Sequence, residues 1–358
     1  MASGVLFAGQ EDLDFVIYTG LVTFGSAGVS INTTSGTFRS GYARYSLSIM
    51  DNHNPVLTNV FFGTRPWSSS ATTFWTHAQV GEFQTAGATS NSRSATPLQW
   101  LSSDNVVRLQ LVNSGASGVG TIPPTTFAVQ TVNSAGTTTN LGTTSPMFSF
   151  GSLAQVDVYI NYAVAGQILI YQNGGLVFSY TGNVTTDGVT ALSQMRLGSI
   201  SQLGLGTAYT CWSEVIVSTR DTRAMSLITQ AGSGAGNTTS WTGTVAQVNG
   251  NTASDADPNY TTSANAVQQY TATSIPAGAY GILTAITTLR AAGGLTGPQN
   301  IQASVRTGGS DFFGSTTALD LSWQRITYAW DTNPNTGVAW AVADLNAAGF
   351  NLGFKSIA

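Results

Sequence analysis

Residues 155–164, QVDVYINYAV, alternate in polarity with a period of two. Val156, Val158, Ile160, Tyr162 and Val164 share one face, while Asp157, Tyr159 and Asn161 share the other. A strand turns successive side chains to opposite faces, so this run reads as a half-buried strand. The stretch that follows, QILIYQNGGLVFSYTGN, repeats the theme. Gln167–Tyr171 and Leu176–Tyr180 read as strands, and Asn173-Gly174-Gly175 lies where a tight hairpin needs residues that tolerate positive φ. A phosphate-binding glycine loop would be followed by a helix. Here the chain continues as a strand, which excludes that reading.

The same pattern covers most of the chain. Residues 15–24, 43–50, 107–113, 127–133 and 211–219 read as strands, as do 280–290, 300–307, 323–330 and the closing FNLGFKSI. Clusters of Gly, Asn, Ser and Thr separate them, as in an antiparallel sandwich. One helix is expected, in WAVADLNAAG (340–349), with Gly349 as its C-terminal cap and Val342 and Leu345 facing a sheet. Residues 221–240 read as part short strand, part flexible loop, and 249–265 as a long polar loop. At 358 residues the chain is too long for one ordinary sandwich. The reading is two β-sandwich domains, 1–219 and 220–358, with the boundary near Thr219–Arg223.

Composition narrows the function. Charged residues make up 8% of the chain, against about 25% in ordinary soluble domains. The solvated surface is therefore built from hydroxyls and amides. The net charge is −4 and the arginines are scattered singly, which leaves no footprint for nucleic acid. One cysteine, Cys211, excludes an internal disulfide framework and a multi-cysteine zinc site. No apolar stretch approaches a membrane span, and the N-terminus lacks the basic start and long apolar run of a secretory signal.

Candidate sites are few. Trp67, Phe74 and Trp75 lie close together in a Ser/Thr-rich segment, and aromatic side chains of this kind stack on sugar rings or fill a core. Asp255 and Asp257, flanked by Asn251 and Asn259, offer oxygen ligands for a hard cation. They lack the glycine and closing glutamate of an EF-hand loop. No cofactor is expected, with calcium at these two aspartates as the alternative. His53 and His77 are the only histidines, and no Gly-x-Ser-x-Gly elbow accompanies them. The sparse acids show no sequence-level pair for glycosidic hydrolysis.

VDVYINYAVAGQILIYQNGGLVFSYTGN, with RLGS (196–199) and CWSEVIV, resembles the paired strands of laminin-G-like or concanavalin-A-like jelly rolls. VRTGGSDFFGSTTALDLSWQRITYAWDTNPNTGVAWAVADLNAAGFNLGF is similar to a module that follows such a jelly roll in tailed-phage virion proteins. The resemblance implies an all-β fold, a laminin-G-like jelly roll followed by a smaller β-sandwich with one short helix. It also implies a non-enzymatic structural role on the virion exterior, as head decoration, spike or tail-fibre component, after assembly in the host cytoplasm. The partners so implied are other virion proteins, further copies in a homo-oligomer and host-surface glycan. Nucleic acid and membrane insertion are not among them. Two rival readings are a carbohydrate-binding adhesin and a glycan depolymerase.

Overall fold

The computed structural model describes residues 5–9, 15–17, 29–32, 46–51, 60–64, 67, 71–84, 95–113, 126–147, 153–199, 208–248, 256–276 and 281–358. Their secondary structure is strand almost throughout. The chain divides into two compact units, one ending at Leu227 and the other running Ile228–Ala358.

The first unit has two antiparallel sheets. The larger runs, in spatial order, Gly175–Gly182, Gly166–Gln172, Leu153–Asn161, Thr73–Gln84, Ala208–Ser218, Ser46–Asp51 and Val29–Asn32, with Val5–Gly9 also paired to Ala208–Ser218. The second runs Thr138–Thr143, Ala128–Val132, Val107–Asn113, Ala95–Leu101, Gln194–Ser199, Val60–Thr64 and Phe15–Ile17. One apolar layer lies between them. Phe74, Ala78, Val80, Val156, Val158, Ile160, Ile168, Ile170, Val215 and Val217 meet Leu98, Trp100, Leu109, Leu111, Phe127, Val129 and Met195. The period-two alternation of Val156, Val158 and Ile160 builds this layer, as a sandwich requires.

The expected strand at 155–164 ends early, at Asn161. Tyr162 is buried, but Val164 is 72% exposed in a turn. Gly166 explains the tightness of that turn: a Cβ there would lie 2.3 Å from the Asn161 carbonyl oxygen. The next hairpin matches its sequence. Asn173 (φ +50°) and Gly174 (φ +81°) form its two-residue loop, and Gln172 sits opposite Gly175. Asn173 also serves the neighbouring strand. Its Oδ1 accepts from Gln155 N at 2.9 Å, and its own N–H donates to Gln155 O at 2.9 Å. Gly174 has open space around it, so only its φ resists replacement. Gly174→Val should therefore cost about 1–2 kcal/mol of stability. Thermal unfolding checks the loss, and unchanged ligand affinity would show that the loop serves the backbone alone.

The start of the Val107–Asn113 strand is tied by a charged clasp. Arg108, 2% exposed, donates through Nε to Ser102 Oγ (2.8 Å), through NH2 to Asp104 (2.9 Å) and through NH1 to Asp187 (2.6 Å). The Ser102 hydroxyl, with help from Arg108, holds the Asp104 carboxyl below the usual carboxylate range. The Ser134 backbone N–H does the same for Asp187.

The second unit is built on a six-stranded antiparallel sheet in the order Gly232–Thr239, Val267–Ala272, Asn351–Ile357, Asn300–Thr307, Ser310–Phe313, with Thr317–Ala318 also on Asn300–Thr307. The pair Ala285–Ala291 and Gln324–Trp330 forms a second, two-stranded sheet. Apolar clusters join the layers. One holds Ile275, Val305, Trp330, Trp340, Leu345 and Phe350, and the other Ala291, Ile301 and Ile326. Trp330 and Trp340 are therefore core residues, and the Trp340 indole N–H donates to Trp330 O at 2.8 Å.

Two local expectations are corrected here. The helix is a single turn, Val342–Leu345, and Asn346, not Gly349, caps it. Trp340 is buried ahead of the helix, and Phe350 is buried directly after the turn that follows it, so neither end has room to lengthen. The glycine-rich run 232–239, inside the segment expected as part short strand and part flexible loop, is strand throughout. Its glycines answer a close approach: a Cβ at Gly236 would lie 2.6 Å from the Gln269 backbone.

Candidate functional site

The outer face of the larger sheet carries aromatic, charged and amide side chains together. Strand pairing sets Ser218, Trp75, Tyr159 and Leu169 in one row, and Ile216, His77, Asp157 and Tyr171 in the next. A third row holds Thr73, Asn161 and Gln167. The inward neighbours of these residues are the apolar core positions, so the alternation that builds the core also puts these groups on one surface.

Three aromatic rings meet there. Trp75 lies 5.2 Å from Tyr159 and 5.9 Å from Tyr171 between ring centroids, the second pair nearly parallel at 27°. All three are half-buried. The Arg223 guanidinium spans two of them, 4.5 Å from the centre of Tyr171 and 5.2 Å from Trp75, a cation–π arrangement. Arg223 also grips Asp221 at 2.5–3.0 Å, which holds that carboxyl below its usual range.

Beside the rings lies a buried polar network. Asp157 is its hub and is fully buried. Asp157 Oδ1 accepts from His77 Nδ1 at 2.8 Å and from the Thr222 hydroxyl at 2.8 Å, and Oδ2 accepts from Gln155 Nε2 at 2.8 Å. Gln155 Nε2 also reaches Arg223 O (2.8 Å), and Glu214 accepts from Leu227 N (3.3 Å). These bonds lay residues 220–227 across the sheet as a strap, and they keep the segment with the first unit. Glu214 enters the network through a bulge: its φ is +52°, and the register shifts between Ser213 and Ile216. His77 is fully buried, and its Nε2 has no hydrogen-bond partner among the described residues. With Nδ1 turned to Asp157, that Nε2 is an oriented but enclosed nitrogen.

The expected site residues separate. Trp75 stands on this face. Trp67 (5% exposed) and Phe74 (0%) belong to the core, 5.5 Å apart, with the Trp67 indole N–H donating to Leu192 O at 3.1 Å. Neither has a ring face to offer a sugar, so both are corrected to packing residues. The alternation inside TTFWTHAQ carries the distinction: neighbours 74 and 75 must face opposite ways. Asp257 is exposed, and its Oδ2 accepts from Gln247 Nε2 at 3.4 Å. Asn259 turns its amide to Thr244 O (3.0 Å) and the Tyr270 hydroxyl. Asp255, His53 and Asn251 lie outside the described residues. Among the described residues no three His, Cys, Asp or Glu side chains gather as a metal site.

No protein-family profile and no curated protein matches the chain. Solved structures do resemble it. One is an endo-β-1,4-glucuronan lyase from the fungus Trichoderma reesei, 14% identical over 60% of this chain and 95% of that one, with a TM-score of 0.43. Another is Cellulose induced protein, Cip1, at 14% identity, covering 59% of this chain and 94% of that one, TM-score 0.41. A third is the alginate lyase Aly36B, at 12% identity, covering 59% of this chain and 98% of that one, TM-score 0.35. The expectation of a non-enzymatic protein is corrected by this company, since polysaccharide lyases stand among the similar structures. The likeness is one of fold and assigns no reaction to this chain.

Proposed function

We propose that the chain binds carbohydrate on the outer face of its larger sheet and presents that sandwich on the outside of a virion, beside other copies of itself, for attachment to a host surface. The observation that carries the binding is the Trp75–Tyr159–Tyr171 cluster with Arg223 laid over it. A pyranose ring offers a C–H face that packs on aromatic rings and a rim of hydroxyls that need both donors and acceptors. Asn161 and Gln167, half-buried in the row beyond Trp75, supply amides beside the rings. The virion setting is supported by the uncharged surface, 8% charged residues, and by the resemblance of the C-terminal stretch.

Trp75→Ala should weaken glycan binding about tenfold or more, since stacking of this kind contributes ~1–3 kcal/mol. A glycan array read against the parent protein checks it, and full retention of binding by the variant would remove the platform from the site.

A further inference from the structure

The strap across the aromatic face holds one arginine in a fixed pose. Residues 220–227 read RDTRAMSL, two arginines against one aspartate, in a chain whose net charge is −4. The backbone around Arg223 is pinned to the sheet. The Thr222 hydroxyl donates to Asp157 at 2.8 Å, and Arg223 O accepts from Gln155 Nε2 at 2.8 Å. The guanidinium rests on two rings, 4.5 Å from the centre of Tyr171 and 5.2 Å from that of Trp75. Its Nε donates to both Asp221 carboxylate oxygens at 3.0 Å, and NH2 donates to Oδ2 at 2.5 Å.

A guanidinium offers its N–H groups in planar forks. Asp221 fills the fork made by Nε and NH2. The other, made by NH1 and the second NH2 hydrogen, meets no acceptor among the described residues. It is open to solvent: the Arg223 side chain is 39% exposed and that of Asp221 43%. The pinned backbone, Asp221 and the two rings fix the fork in advance, so little side-chain freedom is lost when it binds. Tyr159, 5.2 Å from Trp75, completes the aromatic surface beside it.

We infer that this face prefers sugars bearing a carboxylate, which the open fork of Arg223 grips while the sugar ring packs on Trp75 and Tyr159. The preference rests on the binding face proposed above and adds the chemical class of its ligand. A planar carboxylate meets a planar fork with two parallel hydrogen bonds, and opposite charge strengthens both. The alternatives fit less well. A hydroxyl accepts from one arm of the fork and carries no charge to match it. An apolar ligand would cover the fork and leave its donors unbonded. A polyphosphate needs clustered cations, and the strap has one positive charge in excess.

The test titrates the full chain by calorimetry with two probes, a hexasaccharide of glucose and one of glucuronic acid, and reads the ratio of their affinities. The parent protein should bind the glucuronate about tenfold more tightly. Arg223→Gln, which removes the charge and the fork, should bring the ratio to about one. Arg223→Lys, which keeps the charge without the fork, should retain a ratio of about three. Each ratio is taken on a single variant, so a change in its folded fraction cancels. The preference should also shrink as salt rises, because the pair is exposed. Equal binding of the two probes by the parent, with both weakened by Trp75→Ala, would overturn the preference and leave the platform standing. A preference that persists in Arg223→Gln would overturn the role of Arg223, and a full preference in Arg223→Lys would overturn the fork. Neither probe binding, or both binding unchanged after Trp75→Ala, would overturn the platform and the preference together.

Discussion

Asp157→Ala should lower the stability of the first unit by about 3–5 kcal/mol. The substitution removes one fully buried carboxylate shared by three donors, the His77 imidazole, the Thr222 hydroxyl and the Gln155 amide. The buried His77 and Thr222 then lose their acceptor where water does not reach, and the strap at 220–227 loses its central anchor. Asp157→Asn should cost less, because one oxygen remains for His77 and Thr222, although its NH2 then faces the Gln155 Nε2, donor against donor. Calorimetry of the full chain reads the effect as a downward shift of one transition. Amide exchange at residues 220–227 should quicken in step. A shift within about 0.5 kcal/mol of the parent would mean that Asp157 is not the hub.

Gly353→Ala should cost the second unit about 3 kcal/mol. Gly353 sits in the Asn351–Ile357 strand, between Val267–Ala272 and Asn300–Thr307, with Gln269 opposite on one side and Ser304 on the other. A Cβ there would lie 2.1 Å from the Gln268 carbonyl oxygen and 2.9 Å from Gln269 Cα. Both are backbone atoms of a paired strand, so neither can swing aside. Gly281→Ala is the control, with no atom within 4 Å of the added methyl. Equal melting temperatures for the two variants would defeat the argument.

The fold was largely written in alternation. Val156, Val158 and Ile160 name their own face, and Asn173-Gly174 names its own turn, because both signals are local. Val164 misled because alternation says nothing about where a strand stops; Gly166 and its close neighbours decide that. The strand at 232–239 hid for a related reason. Its glycines look like slack, yet their value lies in contact with Gln269, remote in sequence. The site was less legible. Trp75 could be separated from Phe74 by parity alone, but Asp157 meets Thr222 across 65 positions and His77 across 80. No local pattern announces such partners.

The position of the Ala208–Ser218 strand governs when this fold can be completed. It lies between Thr73–Gln84 on one side and both Ser46–Asp51 and Val5–Gly9 on the other. Until it is synthesised, the larger sheet exists only as separate pieces with open inner edges. At ~5–20 residues per second, a ribosome takes on the order of ten to forty seconds to reach this point. Loop closure over two hundred residues must then join the first strand to the last, a slow kind of contact to form. A chain halted before Ala208 would keep both inner edges unpaired and offer them to its neighbours. Expression yield therefore hinges on the last strand of the first unit, and chaperone demand should fall once Ser218 clears the exit tunnel.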